Sequence, residues 1–283
     1  MNVNTISKLW AMIPSHLQAY IDAPEPEASI ATRAATRTPK ADKVRVIPLM
    51  GGISQRSSVL TEFFGGTSTE DFRADFDSAL ADNSVKAVVI SIDSGGGSVN
   101  GVQELSKHIY ESRGKKPILA VANSVAFSAA YWIGSAADEF HVTPSGQVGS
   151  VGVVAVHEDV SEALAKAGIK PTFVTAGDHK AEGNSAEPLS TDAREEIQRQ
   201  VDHSYDMFIT SLARNRGTTK AMVRDTYGQG RVLNAQDAVR AGMADKVLDI
   251  REVIQRAGSS HTKTMTSLRS SKATLEMLKA QLQ

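Results

Sequence analysis

The sequence predicts an α/β domain with a largely parallel sheet, spanning residues 44–250. Two observations carry this. Short runs of β-branched and apolar residues alternate with stretches of helical period. One run, VKAVVISI at 85–92, is apolar almost throughout, as in a strand buried on both faces.

In chain order, VRVIPLM (44–50) reads as the first strand of the domain. TEDFRADFDSALADN (69–83) spaces Phe72, Phe76 and Leu80 four apart, which is one helix face. After the strand at 85–92, NGVQELSKHIYESR (100–113) is helical, with Val102, Leu105 and Ile109 on one side. PILAVA (117–122) is a strand, followed by the nearly uncharged stretch NSVAFSAAYWIGSAAD (123–138). EFHV (139–142), GVVAV (152–156) and PTFVT (171–175) read as strands, with a helix near 158–167. A long helix N-capped near Ser190 or Thr191 runs to about 216. A short helix near 219–226 and a helix–strand unit near 234–248 close the domain.

The ends read differently. KLWAMIPSHLQAYI (8–21) is interrupted by Pro14, Ser15, His16 and Gln18; it reads as a short amphipathic helix, too short to span a bilayer. Residues 22–43, rich in Ala, Thr, Pro and charge, read as a flexible linker, so residues 1–43 form an N-terminal extension. Residues 251–283 form a tail, in which Leu268, Leu275 and Leu282 lie seven apart with Leu278 between. A frayed terminal helix and a partner-binding segment both fit that spacing.

Composition excludes several functions. Lys plus Arg total 31 against 32 Asp plus Glu, a net charge of −1 that gives no argument for binding nucleic acid or an anionic membrane. The chain lacks cysteine, which removes disulfides, a thiol nucleophile and a cysteine zinc site. The seven histidines show no helical zinc spacing, so neither a metal nor a cofactor is expected.

Three stretches carry chemistry. SIDSGGGSVNG (91–101) ends a buried strand in three glycines before a helix. It suits an oxyanion-binding loop, a nucleotide-phosphate loop, or simply a tight turn. The phosphate reading lacks a following Lys–Ser/Thr pair, and the next strand leads into Asn123 where a ribose-binding acid would stand. In the second stretch, Ser128 begins a buried helix, either as an ordinary N-cap or as a nucleophile beside unpaired N–H groups. Ser124 and Ser135 read as structural. The third is TAGDHKAEGNSAEP (175–188), where Lys180 is either a solvated charge or a general base. As a base it must shed its charge near neutral pH, which burial beside apolar walls brings about.

Together these stretches resemble the signal peptide peptidase family of serine–lysine proteases. That family has an Asp-Ser-Pro-Gly-Gly loop, a helix opening Ser-Gly-Gly-Tyr, and a lysine some fifty residues on. The counterparts are Asp93-Ser94-Gly95-Gly96-Gly97, Ser128-Ala129-Ala130-Tyr131, and Lys180 after His179. GQVGSVGVV (146–154) and GRVLNAQDAVRAGMADKV (230–247) look like two further family segments. Gly95 stands in place of the proline, and Ala129 and Ala130 in place of two glycines. The resemblance implies a Clp protease/crotonase-like fold of repeated β-β-α units. It implies Ser128 as nucleophile, Lys180 as base, and the N–H groups of Gly97 and Ala129 as oxyanion hole. His179 and His157 keep a Ser–His arrangement as an alternative.

The unanchored chain with its linker and tail is most like the capsid assembly (prohead) proteases of tailed phages. That implies a serine endopeptidase acting on scaffold, portal or coat proteins inside an immature head in the bacterial cytoplasm. Self-cleavage, with 28–36 as a candidate region, and a homo-oligomeric ring with Lys180 reaching a neighbour's Ser128 are also implied. A cytoplasmic peptide-degrading protease, a crotonase-like acyl-CoA enzyme and an inactive assembly module are the alternatives.

Overall fold

In the computed structural model the described residues are 10–12, 43–57 and 65–259, the first three as backbone alone. All but the last residue of the expected linker, and the leucine-spaced tail, lie outside them. Among the described residues nine strands form one sheet: β1 (Trp10–Met12), β2 (Val44–Ser54), β3 (Thr67–Ser68), β4 (Ala87–Ser98), β5 (Ile118–Phe127), β6 (Glu139–Val142), β7 (Gln147–Gly149), β8 (Val232–Asn234) and β9 (Lys246–Val247). The main path runs β3-β2-β4-β5-β6-β9 with every neighbouring pair parallel. The sheet is thus largely parallel, as the alternation of strands and helices predicts. The antiparallel pairs are β1 with β4 and β7 with β8.

The strand sequences dictate a two-faced core. Val88, Ile90 and Ile92 of β4 and Ile118, Ala120 and Ala122 of β5 point to one face, where they meet most of the helices. Ala87 and Val89 of β4, with Leu119 and Val121 of β5, point to the other. On the first face pack α1 (Thr69–Ala81), α2 (Val102–Glu111), α3 (Ala129–Gly134), α5 (Thr191–Asn215), α6 (Lys220–Thr226) and α7 (Ala235–Arg240). Their starts are chemically marked: Ser68, Ser190, Thr219 and Asn234 each accept the backbone N–H three residues on. The remaining helices are the short α4 (Ser161–Lys166) and α8, residues 250–259.

Several expectations change. The amphipathic helix expected over 8–21 gives way to an extended strand at Trp10–Met12. The edge of β4 offers backbone partners that an isolated helix lacks. β4 continues through the three glycines, and β5 through Asn123 to Phe127, because each finds strand partners there. GVVAV and PTFVT form no strand; every residue from 165 to 180 is exposed. Residues 251–259, read as the start of the tail, continue α8 from Ile250 and bury Val253, Ile254 and Ala257 on the second sheet face.

Candidate active site

β5 ends at Phe127, and Ser128 turns the chain into α3. Its φ of 53° and ψ of −118° lie where residues other than glycine are rare, a conformation costing about 1–3 kcal/mol. Ser128 is the N-cap by position, since Trp132 N–H donates to its carbonyl at 2.9 Å. Its hydroxyl caps nothing. Oγ lies 3.4 Å from the Gly152 carbonyl, a long contact for a hydroxyl donor. An ordinary capping role therefore does not explain this serine.

The strained turn is held from both sides. The Ser128 N–H donates to Gly149 C=O at 2.8 Å, and Ser150 N–H donates to Arg231 C=O at 2.8 Å. Gly149 ends β7, which pairs with β8 through Val148↔Leu233 and Gly149↔Val232. The segments 146–154 and 230–247, far apart in the chain, thus meet beside Ser128.

α3 is buried along its whole length, and Gly134 is what lets it lie against the sheet. A Cβ there would come within 2.4 Å of Ile92 Cδ1. Trp132 stacks on Phe208 of α5, with centroids 4.4 Å apart. The carbonyls at the end of α3 are satisfied by Arg113, which donates to Ala136, Ser135 and Ala137 and also to Asn215 of α5. Ser135 Oγ donates back to Trp132 C=O at 2.8 Å and accepts from Asn215 Nδ2 at 2.9 Å, so it is structural as expected. Ser124 is exposed on β5 and takes no part in packing this helix.

A second network ties the C-terminal segment to α3. Tyr131 donates to Met243 C=O at 2.9 Å; burial pushes its hydroxyl well above the usual range, keeping it a donor. Arg216 grips Asp245 through two bonds of 3.0 and 2.8 Å. Burial would lift the Asp245 carboxyl, but the Arg216 hydrogen bond and charge outweigh it and hold it below its ordinary value.

The glycine end of β4 faces the same junction. Gly97 pairs with Ile53, and a Cβ at 97 would lie 2.0 Å from the Ile53 carbonyl oxygen, so no side chain fits. Gly96 has a φ of 98°. Ser94 Oγ donates to Gly51 C=O at 2.5 Å and accepts from Gly96 N–H at 3.2 Å, joining the turn of β2 to the loop. In α3 the first intrahelical donor is Trp132, so the Ala129 N–H precedes the ladder.

Lys180 is not bonded to this centre. It is exposed in a turn-rich stretch, its backbone N–H bonded to Gly177 C=O at 3.2 Å, and its side chain pairs with no group among the described residues. No hydrogen bond joins it to Ser128 within one chain. Nor do the histidines reach Ser128: His157 Nε2 contacts Asn184 C=O at 3.0 Å, and His179 Nδ1 lies 3.3 Å from Glu182. Both line a separate cleft of about 740 Å³ with Asp192 and Glu196. No cluster able to hold a metal occurs among the described residues.

A buried, strained serine following a strand beside a glycine-shaped strand end suits acyl transfer. The Peptidase family S49 pattern matches residues 111–263, which include Ser128 and Lys180. The chain belongs to peptidase family S49. Among relatives, it is 32% identical to the head-tail preconnector protein GP5 of Enterobacteria phage P21, over 75% of this chain and 42% of that protein. It is 31% identical to capsid assembly protease C of Escherichia phage lambda, over 75% and 48%. The chain thus spans less than half the length of these two relatives. A solved structure of the membrane-bound stomatin-specific protease 1510-N superposes with a TM-score of 0.48 at 17% identity, over 75% of this chain and 83% of that one. No described helix of this S49 chain is long and apolar enough to cross a membrane.

Proposed function

We propose that this S49 chain is a serine endopeptidase that forms an acyl-enzyme at Ser128, with Lys180 of a neighbouring copy as general base. The observation that carries this is the backbone of Ser128, held in a strained turn with a hydroxyl that does no capping. Lys180 takes the Oγ proton as Oγ attacks the peptide carbonyl, and the negative charge that develops on the carbonyl oxygen meets the N–H groups of Gly97 and Ala129. Collapse expels the amine, which receives the proton from Lys180; water then releases the acyl group. A lysine serves as base only when neutral, which burial favours. Docking against a second copy would supply that burial, and the exposed stretch around Lys180 suits such docking.

The named relatives are a capsid assembly protease and a head-tail preconnector protein. We extend this to the chain: its substrates are phage head proteins (scaffold, portal or coat), processed within an assembling head in the host cytoplasm, and it cleaves itself.

Mixing subunits tests the shared site. Ser128→Ala and Lys180→Ala proteins are each inactive on a peptide. Co-assembled in equal amounts, they regain about one quarter of wild-type activity, because that fraction of random neighbours pairs an intact serine with an intact lysine. No recovery from two inactive proteins overturns the shared site, and full activity in Lys180→Ala alone overturns the assignment of Lys180. A fluorophosphonate that labels elsewhere than Ser128 overturns the nucleophile.

A further inference from the structure

β4 is paired along both edges for most of its length. β2 holds one edge as far as Gly97, through Gly52↔Gly96 and Ile53↔Gly97. β5 holds the other only as far as Ser94↔Ala126, then passes through Phe127 into Ser128. The second edge of Gly96–Ser98 is therefore the one on the side where Ser128 stands. That edge is filled by Trp10–Met12, antiparallel, in the register Trp10↔Ser98, Ala11↔Gly97 and Met12↔Gly96.

We propose that Trp10–Met12 is an intrachain competitor of the substrate, occupying the strand position a peptide must take and leaving it before cleavage. The inference rests on Ser128 being the nucleophile. An extended peptide binds a sheet edge by pairing its backbone with the free N–H and C=O groups of that edge. Gly96–Ser98 has one such edge, so the N-terminal segment and a substrate exclude each other. Tethering makes so short a pairing effective, because a linked segment acts at a high local concentration. The blocked fraction then raises the apparent KM without changing the chemistry of the occupied site. The register also sets polarity: a substrate taking the same place runs antiparallel to β4, its N-terminal side toward Ser98.

The test compares the full chain with the double variant Ala11→Pro/Met12→Pro. Successive N–H groups of a strand alternate sides, so adjacent prolines remove whichever one faces β4. The variant is expected to show a KM for a reporter peptide lower by about 3- to 10-fold with kcat unchanged. Fluorophosphonate labelling of Ser128 should quicken by the same factor, and amide exchange at Gly96–Ser98 should speed up. Unchanged KM and labelling in an active enzyme overturn the competitor and leave the peptidase reading standing. Unchanged exchange at Gly96–Ser98 overturns it whatever the activity. Absence of both turnover and labelling in both proteins removes Ser128 as nucleophile and the proposal with it.

Discussion

At the scale of single residues, the backbone sets Ser128, the proposed nucleophile, apart from the other serines near it. Three serines stand in the stretch 123–138. Ser135 bonds back to Trp132 and to Asn215, and Ser124 is exposed on a strand. Only Ser128 has a positive φ among them, and its hydroxyl caps no N–H. Strain of this kind persists only where the surroundings over-determine it, here through Gly149 C=O and the buried helix behind. Glycine adopts that backbone freely and alanine does not. Ser128→Gly is therefore expected to be more stable than Ser128→Ala by about 1 kcal/mol, read from urea unfolding midpoints. If the alanine variant is the more stable, the turn stores no strain. The helix start at Ser128 was legible because an uncharged run follows it, whereas the glycines read as a turn and β4 in fact runs on through them. The exposure of Lys180 and the distant setting of both candidate histidines were not legible, because a loop's surroundings are set by tertiary packing.

At the scale of elements, the pattern succeeded where an element carries its own signal. α1 has its apolar face and a capping Ser68, α5 has Ser190, and β4 has a run buried on both sides. It failed where an element exists only through a partner. β1 is a strand because β4 has a free edge, while GVVAV and PTFVT are β-branched yet form no strand. Most of α8 reads as tail in the sequence, and its place shows only when Val253, Ile254 and Ala257 meet Val44 and Val46. The edge where β6, β9 and α8 come together also holds a buried histidine with a pH consequence. His141 is fully buried; its Nε2 is 3.2 Å from Glu139 Oε2 but not aligned for a hydrogen bond. Burial lowers its pKa, and the nearby Glu139 and Asp245 carboxylates only partly offset this. The unfolded chain therefore takes up a proton near pH 6.5 that the native protein refuses. Stability is fully present above about pH 6.5 and falls as the pH drops toward the lowered native value. His141→Phe should flatten the stability profile below about pH 6.5, measured by thermal unfolding as the pH is lowered. A wild-type profile already flat there would show that His141 is not held neutral.

At the scale of the whole molecule, one stretch looks unfinished. From residue 165 to 180 every side chain is exposed, while the sheet and α3 around Ser128 are tightly buried. The exposed stretch is not simply polar: Val174 is 93% exposed, with Ile169 and Phe173 nearby also open. Apolar side chains clustered on one exposed arm mark a contact surface rather than a solvated loop. The same arm ends in Lys180, the base proposed for a neighbour's Ser128. Both facts agree with the proposed assembly, in which one copy's arm lies against the next and is dried by the contact. Phe173→Asp/Val174→Asp places two charges in that contact without touching the core. It should leave the unfolding temperature nearly unchanged, because exposed positions alter stability by about 0.5 kcal/mol or less. It should also lower the sedimentation coefficient to that of a single chain and reduce peptide hydrolysis at least about tenfold, since a desolvated contact tolerates charge poorly. Retained assembly and activity in this variant would mean that the arm is not the interface, and that Lys180 must reach a serine by another route.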